Sequence, residues 1–141
     1  MEELLRIENL VTAFQTKKGM VAAVRGVTLS VKQGKTLVIL GESGSGKSVM
    51  LRSILKIVPP GARLSGTITF KGEKLLEKSK KEMQAIRGNR IAMIFQDALS
   101  ALDPLFKVGK QIEETILTHQ PLRRDEAKKQ VISLFRKVGI P

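Results

Sequence analysis

Eight residues, Gly41-Glu42-Ser43-Gly44-Ser45-Gly46-Lys47-Ser48, sit between a continuous apolar run, Thr36–Leu40, and a segment with apolar residues at 50, 51, 54, 55 and 58, which is one helical face. The order of apolar strand, glycine-rich loop and helix matches G-x-x-x-x-G-K-[ST] in the setting where that pattern has a mechanism. Glycines let the backbone wrap closely around phosphates with its N–H groups inward. The helix that follows offers its free N-terminal N–H groups and positive dipole end to the same anion. Lys47 then suits the β- and γ-phosphate oxygens of a nucleotide, and the Ser48 hydroxyl suits the Mg²⁺ that bridges them. The plainer alternative is a strand-to-helix turn that binds nothing. A dinucleotide loop, G-x-G-x-x-G, lacks the Lys-Ser pair and fits poorly.

The chain has 141 residues, enough for one domain or for part of a larger one. Without Cys it is not a disulfide-stapled miniprotein and holds no Cys-ligated zinc or iron–sulfur centre within these residues. No apolar run approaches the roughly 20 residues that cross a bilayer. The start, Met-Glu-Glu-Leu-Leu-Arg, is acidic where a secretory leader is basic, so the cytoplasm is the expected compartment. A formal net charge of +12 points to polyanionic company: nucleic acid, nucleotide phosphates or an anionic membrane surface. Aromatics are 4% of the residues, all of them Phe, which leaves few stacking platforms, and specific nucleic-acid binding is not expected.

Alternation over Leu5–Glu8 and Val24–Val31, with a turn at Gln15–Gly19, predicts antiparallel strands, and Ser65–Phe70 predicts a further one before a Lys71-Gly72 turn. Thr36–Leu40 and Arg90–Phe95 read as buried strands of the kind found in parallel sheets. Helices are expected over Ser48–Val58, stopped by Pro59-Pro60-Gly61, over Lys80–Arg87, stopped by Gly88, and over about Val108–His119 and Arg123–Val138. The last opens with Asp125-Glu126, where carboxylates favour a helix N-terminus.

Other users of such a loop need more than the loop. A GTPase usually carries an Asn-Lys-x-Asp guanine reader, and none is present; lid and acceptor residues of a small-molecule kinase are not identifiable. Over nearly its whole length the chain instead resembles the nucleotide-binding subunits of ABC transporters. Val24–Val31 followed by Gly34-Lys35-Thr36-Leu37 is similar to the family's strands leading to the loop, and Met93-Ile94-Phe95-Gln96-Asp97 is similar to the segment entering its glutamine loop. Ala98-Leu99-Ser100-Ala101-Leu102-Asp103-Pro104 and Val108-Gly109-Lys110-Gln111-Ile112 resemble the oligopeptide, dipeptide and nickel importer branch. Ala98 and Asp103 depart from that branch's usual F-Q-D-P-x-x-x-L-N-P.

The resemblance implies an α/β, P-loop NTPase nucleotide-binding domain with an N-terminal antiparallel β subdomain and the start of a helical subdomain. Residues 1–141 would be its N-terminal portion: 1–35 and 62–75 the antiparallel part, 36–58 and 88–97 the P-loop core, 98–141 the glutamine loop and first helices. It implies ATP and Mg²⁺ as cofactors, with Gly41, Glu42, Ser43, Gly44, Ser45, Gly46, Lys47 and Ser48 at the phosphates. Gln96 helps hold Mg²⁺ and the attacking water, with the alternative of a polar residue ending a strand. Phe14 takes the place of the aromatic that stacks on adenine, with a packing Phe as the alternative. Asp97 ends an apolar run as a Walker B aspartate does, yet no Asp-Glu pair follows it. His119, the single His, reads as a partly exposed helix residue and not as the family's switch histidine.

The implied partners are membrane-spanning permease subunits, a second nucleotide-binding subunit, identical or related, and an extracytoplasmic solute-binding protein, with the chain peripheral on the cytoplasmic face. The family's Leu-Ser-Gly-Gly-Gln signature, Walker B strand and switch His do not occur in residues 1–141. The expectation is therefore a piece of a longer transport ATPase, inactive in hydrolysis by itself. A complete but hydrolysis-dead nucleotide-binding module, and a DNA-associated relative, are the competing readings.

Overall fold

The structure, a computed structural model, describes residues 2–97 and 101–140. These form two compact units that divide between Gln84 and Ala85. Ala98 and Pro141 lie outside the described residues.

The first unit is built on a long hairpin of β1 (Glu3–Thr16) and β2 (Gly19–Lys32), turned at Lys17-Lys18, where the Thr16 hydroxyl donates to the Gly19 carbonyl at 2.7 Å. β3 (Arg63–Phe70) pairs with the other edge of β1, and the short β4 (Glu73–Lys74) returns through the Lys71-Gly72 turn. The sheet is antiparallel with order β2-β1-β3-β4. Ile7, Leu10 and Thr12 are all fully buried, although strict alternation sends positions 7 and 10 to opposite faces. A β-bulge restores the phase. Asn9 adopts a left-handed φ of 49°, the ladder slips between Ile7 and Leu10, and the freed Asn9 N–H donates to Thr28 Oγ1 at 2.9 Å. Gly66 of β3 crosses at this point, where a Cβ would stand 2.5 Å from the Asn9 carbonyl oxygen, so a side chain has no room.

The helix α1 (Lys47–Ile54) turns Met50, Ser53 and Ile54 inward. Ser53 Oγ donates to the Val49 carbonyl at 2.7 Å and lies 2.8 Å from Thr12 Oγ1 on β1. A serine hydroxyl has one proton, so Thr12 is the donor to Ser53, and this buried pair fastens α1 to the sheet. The helix ends at Ile54 and not at Val58, before the proline pair is reached. Lys56 takes a φ of 52° and closes a Schellman motif, its N–H donating to the Ser53 carbonyl at 3.0 Å while that of Ile57 donates to Arg52 at 2.9 Å. Glycine is the usual occupant of such a position. Here the lysine ammonium offsets the strain by donating to the Leu76 and Lys78 carbonyls at 2.9 and 2.8 Å.

The helix α2 (Lys80–Ile86) opens with a capping box: the Ser79 N–H and hydroxyl donate to Glu82 Oε2 at 2.8 and 2.6 Å, and the Glu82 N–H donates back to Ser79 Oγ at 3.3 Å. In the second unit α3 (Val108–His119) and α4 (Arg124–Lys137) form an antiparallel pair around Ile116, Ala127 and Val131, with Ile112, Leu122 and Phe135 alongside. Gly109 faces the last half of α4, where a Cβ would make ordinary contact with Val131 and Phe135 at 3.7 and 3.9 Å. The first turn of α4 is anchored by the Arg123 N–H donating to Glu126 at 2.8 Å.

The runs Thr36–Leu40 and Arg90–Phe95 are not strands. The first has no regular structure, with Val38 71% and Leu40 87% exposed; the second makes one isolated bridge, Arg87 with Ile91, and leaves Ile94 95% exposed. A parallel strand is formed by the neighbours that bond its edges, and none is found beside either run among the described residues.

Ser53→Ala is expected to cost about 1–3 kcal/mol of unfolding free energy in urea titration, because Thr12 is left with a buried hydroxyl and no partner. Thr12→Val combined with Ser53→Ala should then cost less than the sum of the single changes. The Glu82 carboxyl is held below its ordinary value by the Ser79 hydroxyl and N–H. The stabilising effect of this cap is complete above the usual glutamate pKa, about 4.3, and fades as pH falls through the lowered folded value. An NMR titration should show the Glu82 pKa rise in Ser79→Ala.

Candidate functional site

Between the end of β2 and α1 the chain forms the loop whose residues Gly41, Glu42, Ser43, Gly44 and Ser45 are all exposed, with the Ser45 N–H donating to the Glu42 carbonyl at 3.3 Å. Gly46 is the N-cap of α1, with φ 91° and ψ 1°, and it lies so near β2 that a Cβ would penetrate the Ala23 carbonyl oxygen. Glycine is therefore required twice over, by the dihedral and by the contact. The close approach brings the N-terminal turn of α1, which carries no acidic side chain, against the middle of β2.

Lys47, the first residue of α1, folds back across the loop. Its Nζ donates to the Gly41 carbonyl at 2.6 Å, the Glu42 carbonyl at 2.5 Å and Ser45 Oγ at 3.2 Å. The ammonium is thereby fixed at the loop's mouth before any ligand arrives. Ser48 follows in the first turn with an exposed side chain. The N–H groups at the start of a helix, its dipole and an oriented cation converge here, an arrangement chemically suited to an anion of phosphate size and charge.

Loop and strand enclose an open cavity of about 780 Å³. One wall is Gly41 and Gly44–Lys47; the other is β2 from Val21 to Leu29, with Ile39, Leu40 and Met50 completing an apolar flank. Arg25 lines this cavity too, and pattern reading passes over it. The signal that finds it is the glycine that follows, since an isolated Gly within a strand pattern marks a bulge.

Phe14 is half-buried near the end of β1, opposite Val21 in the ladder; Val21 lines the cavity, while Phe14 is not among the lining residues. Gln96 and Asp97 belong to the second unit, in a bend with both side chains exposed. His119 is half-buried and faces Gly88, whose Cβ would stand 3.4 Å from Nε2, in keeping with a helix residue that packs. In the same unit Gln111 splints the Asp103–Phe106 turn. Its Oε1 accepts from the Asp103 N–H at 3.0 Å, and its Nε2 donates to the Asp103 and Phe106 carbonyls, each at 2.9 Å. Leu105, 85% exposed, and Phe106 stand out from this turn, with Lys110 Nζ 5.2 Å from the Phe106 ring centre.

This fold, an antiparallel sheet flanking a phosphate-loop helix, is that of the ATPase cassettes. A dimeric cassette in a post-hydrolysis state with ADP and Pi superposes with a TM-score of 0.77 at 22% identity, over 94% of this chain and 56% of the other. A dimeric bacterial ABC transporter cassette gives 0.78 at 24%, with the same coverage. The chain belongs to the ABC transporter family, whose pattern it matches over residues 24–141. It is 46% identical over 140 residues to the oligopeptide transport ATP-binding protein OppD of Bacillus subtilis, covering 98% of this chain and 39% of the relative. To the dipeptide transport ATP-binding protein DppD of Lactococcus lactis it is 42% identical, covering 99% and 41%. It thus spans about two fifths of the length of these curated relatives.

Gly46→Ala is expected to be more damaging than Gly44→Ala. Each forces an L-residue into a left-handed conformation at roughly 1–3 kcal/mol, but a Cβ at Gly44 meets open space and one at Gly46 meets backbone. Thermal melts and amide shifts at Ala23 in the two variants test this ordering.

Proposed function

We propose that this chain is the nucleotide-binding portion of the ATP-binding subunit of an ABC importer that takes up peptides. The observation that carries the reading is the loop Gly41–Ser48 with Lys47 preset across its mouth, in a chain 46% identical to an oligopeptide transport ATP-binding protein. The importer branch read from the sequence includes nickel carriers; the relatives named above are peptide transport proteins and favour peptides.

In this reading the backbone N–H groups of Gly41–Gly46 and the start of α1 bind the phosphates, and Lys47 neutralises charge on the terminal ones. Glu42, Ser43 and Ser45 contribute through their backbone. Among the described residues no group of His, Asp and Glu is placed to hold a metal. Mg²⁺ keeps most of its waters and is bound largely through substrate phosphates. Ser48 and Gln96 are the side chains that would hold it, and Mg²⁺ would supply charge neutralisation during phosphoryl transfer. Gln96 would also orient the water. Phe14 would stack on adenine from the Val21 side of the cavity.

The proposed domain organisation keeps 1–35 and 62–75 as the antiparallel part, 36–58 and 88–97 as the P-loop core and 98–141 as the glutamine loop and first helices. The exposed side chains of Leu37, Val38, Leu40 and Ile94 support it, since apolar groups of this kind call for a sheet. A second nucleotide-binding subunit completes the working unit, and permease subunits dock on the glutamine-loop region and the helices from Val108 onward. The protruding Leu105 and Phe106 support that docking face. A solute-binding protein outside the membrane delivers the peptide, and the subunit is peripheral on the cytoplasmic face.

Transition-state stabilisation needs a Walker B pair that residues 1–141 lack. The 141-residue chain should therefore bind ATP and release phosphate no faster than buffer, and Lys47→Ala should abolish the binding. Turnover that survives repurification and disappears in Lys47→Ala would refute the assignment of hydrolysis to a longer protein.

A further inference from the structure

Arg25 is built into the nucleotide cavity by a distortion of β2. The β1–β2 ladder pairs Leu10 with Val27 and the very next residue, Val11, with Arg25, so Gly26 is an extra residue in β2. Gly26 has φ 74°, the left-handed conformation of a glycine bulge. Bulges re-aim the neighbouring side chain, and Arg25 lines the cavity that the loop Gly41–Lys47 closes on its other side.

The guanidinium is also oriented. Arg25 Nε donates to the Ala22 carbonyl at 3.1 Å. That bond uses one of the five N–H donors of the fork and leaves both terminal nitrogens for a ligand. Ala22 adjoins Ala23, the residue against which Gly46 packs, so the anchor lies beside the N-terminus of α1. Arg25 and Lys47 are the cationic residues in the cavity wall among the described residues; no acidic side chain lines it.

From this geometry we infer that Arg25 is a second cationic contact for the phosphates of the bound nucleotide, in the cavity that Lys47 also lines. The inference rests on the nucleotide reading given above and adds a residue to it. A planar fork suits phosphate oxygens where a lysine offers only a point charge. The exposure of Arg25 means that it stays hydrated until the ligand arrives and is not required for folding.

The test is equilibrium binding of ATP and of adenosine to the 141-residue chain and to Arg25→Gln, Arg25→Lys and Lys47→Ala, at two salt concentrations. Arg25→Gln should weaken ATP about tenfold, the scale of one charge-assisted hydrogen-bonded contact, leave adenosine unchanged and flatten the salt dependence. Arg25→Lys should recover part of the loss. A melting temperature equal to that of the parent chain shows that folding is intact. ATP binding by the parent chain that Arg25→Gln leaves within about twofold overturns the role of Arg25 alone, as does an equal loss for adenosine. Failure of the parent chain to bind ATP overturns the nucleotide reading and this inference with it.

Discussion

The contact on which the first unit depends is the one between Gly46 and the Ala23 carbonyl. It sets how near the start of α1 comes to β2, and thereby the width of the cavity. Two further constraints hold the helix at that distance. The Thr12–Ser53 hydroxyl pair fixes its inner face to β1, and the Schellman turn at Lys56 ends it with the ammonium tied to the Leu76 and Lys78 carbonyls. The loop Gly41–Ser45 is exposed and belongs to no regular element, so its shape comes from these anchors on either side and from Lys47 within. Rigid support beneath an exposed loop is how a backbone can present N–H groups to a ligand at low reorganisation cost.

The local elements were legible in the sequence because their determinants are local. Alternation found the hairpin and β3, and the helical period found α3 at its observed bounds and α4 within one residue at each end. The glycine loop marked the start of α1, since the position and residue type of Gly46 are both dictated by the close approach to β2. Ser79-x-x-Glu82, which pattern reading passed over, is a capping pattern contained in four residues.

What the sequence hid was non-local. Thr12 and Ser53 are unremarkable polar residues until two elements are brought together, and Arg25 is an ordinary strand cation until Gly26 bulges. The bulge at Asn9 shifts the inward face of β1 by one position, which simple alternation does not anticipate. The helix end at Ile54 was misread for a related reason: a lysine in a left-handed conformation is a poor local choice, made tolerable by carbonyls from twenty residues onward. Thr36–Leu40 and Arg90–Phe95 were read by composition as buried strands, and composition specifies what a segment requires, not whether its neighbours are in place.

Those two bare runs also have a meaning in time. The β1–β2 hairpin is joined by a two-residue turn and closes quickly, because its pairings span short stretches of chain. The apolar segments near Val38 and Ile94 cannot be satisfied by local pairing and must wait for edges that the described residues do not provide. During synthesis the wall and floor of the cavity would stand first, with the adhesive strip at Val38 still uncovered. Chaperones recognise that kind of surface, and the speed at which it is covered decides between assembly and aggregation.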